Sequence, residues 1–148
     1  MSKHRSGKRD SSVVDEAHAR SGISKKLIRA VIKQLGGMDD ELKGTLSDVS
    51  NHGADGGFSG FIYYTETVKF YKANKKDILE HLKSQASDFG TGVIEMIKGF
   101  RCAKDVEASE DDIGEVLYGS GKGEVSDQIA NCLAWYALEE VARAVTDE

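Results

Sequence analysis

The chain has 148 residues, of which 39% are hydrophobic and none is proline, and 20 Lys and Arg against 25 Asp and Glu give a formal net charge of −5. A chain of this length removes about two-thirds of its unfolded surface from water, so one domain can build a core without disulfides or metals. No apolar run approaches the ~18 residues of a membrane-spanning helix, and the basic start MSKHRSGKR has no apolar core behind it. We therefore expect a protein that is neither embedded in a membrane nor exported by a standard signal.

The charge is distributed unevenly along the chain. Residues 1–36 hold nine Lys and Arg against three Asp and Glu, a net charge of +6, and the other 112 residues carry −11. We expect residues 1–11 to be a flexible basic arm and residues 12–148 to be a single helical domain. The arm is either a solvated tail or a contact for nucleic acid, because clustered cations release counterions from phosphates. The acidic remainder favours a basic protein partner.

The first half of the domain is predicted to be helical, with glycines ending the helices because proline is absent. Ser12 is predicted to start a short helix that ends at Gly22. Ser24 is predicted to cap a second helix, which ends at the glycine pair 36–37, and Asp39 a third. The apolar residues that recur at helical spacing in the second and third helices are Ile28, Val31, Leu35, Leu42, Leu46 and Val49.

The second half is also predicted to be helical. The run FIYYTETVKFY has strand-forming composition, but its apolar residues step by four and three, which indicates a helix that Asn74 restarts or bends. A short amphipathic segment follows at 93–100, and Ser109 with Asp112 opens another helix before Gly119. Ser126 is predicted to cap a last helix with apolar groups on two faces, a pattern typical of central burial. The fold class is therefore all-α, a compact multi-helix domain around a central C-terminal helix.

The glycine-rich stretch NHGADGGFSGFIYYTE, residues 51–66, supports three interpretations. His52, Asp55 and Glu66 are the candidate catalytic residues of a proton-transfer site or weak metal site. Alternatively, Gly56 and Gly57 expose backbone N–H groups to a ligand ahead of a helix, with Tyr63 and Tyr64 beside it. In the third interpretation the glycines only permit a tight turn while the aromatic side chains fill the core.

The remaining motifs do not predict a cofactor. GSGKGE at 119–124 lacks the first glycine and the final Ser or Thr of a phosphate-binding P-loop, so we interpret it as a linker. The four histidines, His4, His18, His52 and His81, form no ligand pair, and we expect neither a metal nor a cofactor. Cys102 and Cys132 match no C-x-x-C pattern, and we expect two reduced, unreactive thiols, which indicates a cytoplasmic protein.

Two segments, DVSNHGADGGFSGFIYYTETVKFY and NCLAWYALEEVAR, resemble an uncharacterised family of small proteins from phages and other mobile elements. The resemblance covers roughly residues 45–146 and leaves the basic arm outside. It implies a protein that acts in the cytoplasm of a bacterial host cell, and it implies no activity.

The sequence supports two classes of function and, more weakly, a third. The first is a non-enzymatic protein that binds and modulates or inhibits a host protein, such as a defence or transcription component, with Glu110, Asp111 and Asp112 as interface residues. The second is an enzyme or small-ligand binder with its site at 52–66. The third takes SGISKKLIRAVIKQL as the basic helix of a DNA-binding unit, although no recognisable second helix of a helix-turn-helix accompanies it. The oligomeric state stays open.

Overall fold

The structure, a computed structural model, describes the backbone of residues 2–34 and 64–146 and the side chains of residues 12–34 and 65–146. These two ranges contain helices and no strand, which confirms the all-α fold class. The helices are α1 (Ser2–Ser21), α2 (Lys25–Gln34), α3 (Tyr64–Asp88), α4 (Val93–Lys98), α5 (Arg101–Asp105), α6 (Glu110–Tyr118) and α7 (Glu124–Thr146). The predicted third helix after Asp39 lies outside the described residues.

The chain divides into two units, one formed by Met1–Tyr63 with Tyr136–Glu148 and the other by Tyr64–Trp135. Helix α7 contributes residues to both of them. Its buried side chains are Ile129, Ala130, Cys132, Leu133 and Ala134 in the second unit and Ala137, Leu138, Val141, Ala142 and Ala144 in the first. The predicted central burial of the last helix is therefore confirmed.

In the first unit, α1 and α2 pack together across a three-residue turn. Gly22 has a φ of +73°, and its N–H donates to the carbonyl of His18 (2.8 Å), so α1 ends at the predicted glycine. The N–H of Leu27 donates to Oγ of Ser24 (3.1 Å), which confirms the predicted cap of α2. Helix α1 begins at Ser2 and not at Ser12, because its hydrogen-bonded turns continue through the capping position.

The described backbone of residues 2–11 is thus the first part of α1, while the side chains of these residues lie outside the described set. The flexible arm and the domain boundary at residue 12 stay predictions.

In the second unit, α3 is bent where the sequence predicts it. Asn74 has φ −120° and ψ 15°, outside the helical range, and its side-chain amide donates to the carbonyl of Phe70 (2.9 Å). This side chain is buried and bonds backbone within its own helix, and such competition bends helices. The apolar stripe of α3 stays buried on both sides of the bend through Val68, Tyr71, Ile78 and Leu82.

Two boundaries in this unit differ from the predictions. Helix α4 occupies most of the predicted segment 93–100. Helix α5 was not predicted, and its five residues bury only Ala103. Helix α7 begins at Glu124, two residues before the predicted cap Ser126. Gly123 precedes it with a φ of +112°, which glycine adopts at little cost, and accepts a hydrogen bond from the N–H of Asp127 (3.0 Å). The GSGKGE segment joins α6 to α7, as predicted for a linker.

The prediction of two reduced thiols was wrong, because Cys102 and Cys132 form a disulfide with their Cα atoms 5.8 Å apart. The bond joins α5 to α7 across 30 residues of sequence. Cys102 is exposed, whereas Cys132 is buried. A cysteine pattern without metal-ligand spacing therefore does not show that the thiols stay apart in the fold, and reduced cysteines no longer support a cytoplasmic location.

Candidate interaction surface

Most of the candidate residues in the glycine-rich stretch lie outside the residues that the structure describes. The candidates outside the described residues are His52, Asp55, Gly56, Gly57 and Tyr63. Tyr64 is the first residue of α3, but its side chain is outside the described set. Glu66 lies half-buried in the first turn of α3, where the helix dipole favours a carboxylate. The three interpretations of residues 51–66 therefore stay predictions.

The predicted interface residues lie in the first turn of α6, and this turn is fixed by reciprocal hydrogen bonds. The N–H of Asp112 donates to Oγ of Ser109 (3.1 Å), and the N–H of Ser109 donates to the Asp112 carboxylate (3.1 Å). These two bonds form a capping box, as the sequence predicts. Asp112 is therefore a part of the fold as well as a surface charge.

The three predicted interface carboxylates have different surroundings. Glu110 lies 3.6 Å from Nζ of Lys98 in an exposed ion pair, and Asp112 belongs to the capping box. Asp111 is exposed. All three lie near the N-terminus of the helix dipole, so reversing their charge together would weaken α6 itself. Asp111 is the one whose charge can be changed with least effect on the capping of α6.

An exposed stripe runs along α6 from Asp111. Helical spacing of four and three residues brings Asp111, Glu115 and Tyr118 onto one face, which we call the acidic stripe. Tyr118 is 61% exposed, a large fraction for an aromatic side chain. The carboxylate of Glu115 accepts a hydrogen bond from Oγ of Ser120 (3.3 Å). Glu115 and Tyr118 were not predicted as interface residues, although their spacing from Asp111 in the sequence places them on the same helix face.

The opposite side of α6 is buried and holds the acidic stripe in place. Ile113, Val116 and Leu117 are at most 3% exposed, and the hydroxyl of Tyr71 donates to the carbonyl of Val116 (3.4 Å). Burial raises the pKa of Tyr71 far above its usual value, and the neighbouring Tyr118 raises it further. Tyr71 therefore stays protonated and keeps its donor role throughout the physiological pH range.

The segment of sequence that contains α6 carries charges of one sign. Residues 105–118 contain six Asp and Glu and no Lys or Arg, a net charge of −6.

At the end of α5, the N–H groups of Ala108 and Glu107 donate to the carbonyls of Ala103 (3.1 Å) and Lys104 (3.0 Å), a Schellman motif. Glu107 has a φ of +52° at the motif position where glycine is preferred. A carboxylate thus occupies a position that favours glycine.

No group of three or more His, Cys, Asp or Glu side chains in the described part of the chain is arranged to hold a metal ion. Of the four histidines, His18 places Nδ1 2.7 Å from the carbonyl of Ile23, and His81 is buried. None of the described helices has the length and apolarity needed to cross a membrane. The expectation that no cofactor binds stays a prediction.

Comparison with known proteins gives one family. No curated protein and no solved structure shows significant similarity to the chain. A family model described as "Domain of unknown function (DUF7222)" matches residues 21–148, which include every residue of α2 to α7 and the acidic stripe. The expected membership of an uncharacterised family is thus confirmed, and the chain belongs to the DUF7222 family.

Proposed function

We propose that the protein is a small acidic interaction protein of a phage or mobile element, which binds a basic surface of a host protein and modulates or inhibits it. The observation that carries this proposal is the acidic stripe, in which two carboxylates and an exposed aromatic ring lie on one face of a helix whose other face is buried.

The composition of the acidic stripe suits protein recognition. Tyr118 offers a large, rigid surface with a polar end, and tyrosine is enriched among the residues that dominate binding energy. Asp111 and Glu115 add negative charge beside it, which steers a basic partner and raises the rate of association. A nine-residue helix is about 13 Å long, so the acidic stripe forms the centre of an interface and neighbouring residues complete it.

The setting in a bacterial host rests on the resemblance of the two sequence segments to proteins of mobile elements. A protein of such an element acts on host components, and a host defence or transcription protein with a basic surface fits the charge of the acidic stripe. The alternative of an enzyme or ligand-binding protein rests on residues 52–66, and no described contact favours it.

Partner capture tests the proposal. Tagged protein is incubated with bacterial lysate, with and without nuclease, and the proteins that stay bound are identified by mass spectrometry. We expect a nuclease-resistant partner with a basic surface, captured in a constant ratio. The captured partner is then purified and its affinity measured directly, in order to separate a specific complex from non-specific retention. Absence of any nuclease-resistant partner contradicts the proposal.

Matched variants assign the binding to the acidic stripe. The double variant Asp111→Asn with Glu115→Gln removes two charges from it, and Glu80→Gln with Asp88→Asn removes two charges from exposed positions of α3. We expect the first pair to weaken binding at least tenfold and the second pair to change it less than twofold. Equal losses from both pairs would assign the effect to net charge, and an unchanged affinity of the first pair would rule out the acidic stripe as the interface.

A further inference from the structure

Helix α2 carries a basic face that is not part of the acidic stripe. Its exposed cations are Lys25, Lys26, Arg29 and Lys33. At about 100° per residue, these four positions fall within an arc of about 100° of the helix surface. The residues of α2 include no Asp or Glu, so the face has a single sign.

The other side of α2 is a buried apolar wall. Leu27, Ile28, Val31 and Ile32 are at most 5% exposed, and their positions fall outside the arc of the basic face. The Ser24 cap fixes the first turn of the helix. The cations therefore project from a rigid support, which lowers the entropic cost of binding.

Asp15 of α1 pairs with the first cation of the basic face. Nζ of Lys25 lies 3.1 Å from the carboxylate of Asp15, and both side chains are largely exposed. An exposed pair of this kind is weak and is screened by salt, so Lys25 can exchange its partner for a phosphate. Arg29 and Lys33 lie one and two turns farther along the helix from Lys25, and both are exposed.

We propose that the basic face of α2 binds the phosphate backbone of duplex DNA. Arginine and lysine on one helix face contact phosphate oxygens by charge-assisted hydrogen bonds, and the release of counterions drives the binding. Helix α2 follows α1 after a three-residue turn that contains glycine, a connection with the length found in helix-turn-helix units. Helix α1, whose end at Gly22 the sequence predicted, supplies the other helix of such a unit. This activity is separate from the acidic stripe, because the two surfaces belong to different units.

Nucleic acid fits this face better than an acidic protein does. Residues 1–36 concentrate a net charge of +6 in a chain whose total is −5, and α1 adds the basic residues of the N-terminus to the same unit. The four exposed cations along α2 match the continuous charge of a nucleic acid backbone. Isolated carboxylates on a protein would need fewer cations.

Fluorescence anisotropy with a labelled 20-base-pair duplex tests the proposal on the full chain, with salt varied between 50 and 200 mM. Wild-type protein is expected to bind, with affinity falling linearly on logarithmic axes as salt rises. The variant Arg29→Ala with Lys33→Ala removes two phosphate contacts, so the slope should decrease in magnitude by about 1.8, or 0.9 for each contact. The variant Lys69→Ala with Lys83→Ala removes two exposed cations of α3 and serves as the matched control, with an unchanged slope.

Three results would overturn this inference. The first is no binding of the duplex at 50 mM salt. The second is an equal change of slope in both double variants, which would assign binding to net charge. The third is that polyglutamate displaces the duplex as effectively as unlabelled DNA does at the same concentration of negative charge. That result would make the basic face a site for acidic proteins. Circular dichroism of both variants checks that each keeps the wild-type helix content.

Discussion

Removal of the disulfide between Cys102 and Cys132 is expected to lower the stability of the unit Tyr64–Trp135. The bond closes a loop of 30 residues, and the loop-entropy relation gives a loss of about 12 cal/mol/K for the unfolded chain, or about 3.6 kcal/mol at 25 °C. Cys102→Ser is the suitable variant, because Cys102 is exposed, while a polar group at the buried Cys132 would add a cost of its own.

Urea unfolding measures this loss directly. The single tryptophan, Trp135, belongs to the unit that holds the disulfide, so its fluorescence reports on that unit, while circular dichroism reports on all helices. We expect the free energy of unfolding of the oxidised wild type to exceed that of the reduced wild type and that of Cys102→Ser by about 3.6 kcal/mol. With a slope of about 2 kcal/mol per molar urea, the midpoint should move by about 1.8 M.

The response to reductant supplies the control. Cys102→Ser should have the same midpoint with and without tris(2-carboxyethyl)phosphine, while the wild type should move to that midpoint only when reduced. Two titratable thiols in wild-type protein unfolded without reductant would refute the pairing. An unchanged wild-type midpoint after reductant, with the bond shown to be intact before the treatment and cleaved after it, would refute the entropic argument.

Four further predictions concern the helix ends and one buried phenol. Arg20→Ala should cost about 1 kcal/mol in thermal unfolding, because two N–H groups of this side chain bond the carbonyl of Ala144 in the last turn of α7; an unchanged midpoint would show that water replaces them without loss. Gly90→Ala should destabilise by about 1 kcal/mol, since φ is +69° there and open space around the added Cβ leaves backbone strain as the cost. Glu107→Gly, at the equivalent position of α5, should raise stability by up to about 1 kcal/mol in the same urea assay, and a decrease would show that its side chain stabilises the fold. Burial raises the pKa of Tyr71, so the contribution of this group to stability should fall above pH 10, where it ionises in the unfolded chain and not in the folded chain, by at most about 1.4 kcal/mol per pH unit. Burial raises the pKa of Tyr136 as well, so Tyr71→Phe should reduce the total slope without abolishing it.

Local signals in the sequence predicted much of the helix layout. The cap at Ser24, the capping box at Ser109, the bend at Asn74 and the stop at Gly22 all depend on contacts within five residues. Contacts of that range are specified by neighbouring residue types, and these can be read without a tertiary structure. For the same reason the apolar stripes of α2 and α3 indicated the buried faces correctly.

The wrong predictions concern features for which neighbouring residues give an incomplete or competing signal. The disulfide joins positions 30 residues apart, and sequence spacing alone does not show that α5 lies beside α7. Ser126 has the preferred type for a cap, but Gly123 offers an earlier start through a positive φ. The stripe position of Tyr118 was readable, yet its exposure depends on how α6 packs, and the apolar residues before it gave an equally good core pattern.

The redox state of the disulfide also bears on the geometry in which the acidic stripe is presented to a partner. Helix α6 lies inside the loop that Cys102 and Cys132 close, and α5, which carries Cys102, buries only Ala103. Where a reducing cytoplasm cleaves the bond, α6 depends on its own buried face and its bond to Tyr71. The capture experiment therefore needs both redox forms. A partner that binds both equally shows that α6 keeps its place without the bond, whereas loss of binding on reduction, with the helix content unchanged, shows that the bond holds the acidic stripe in its binding geometry.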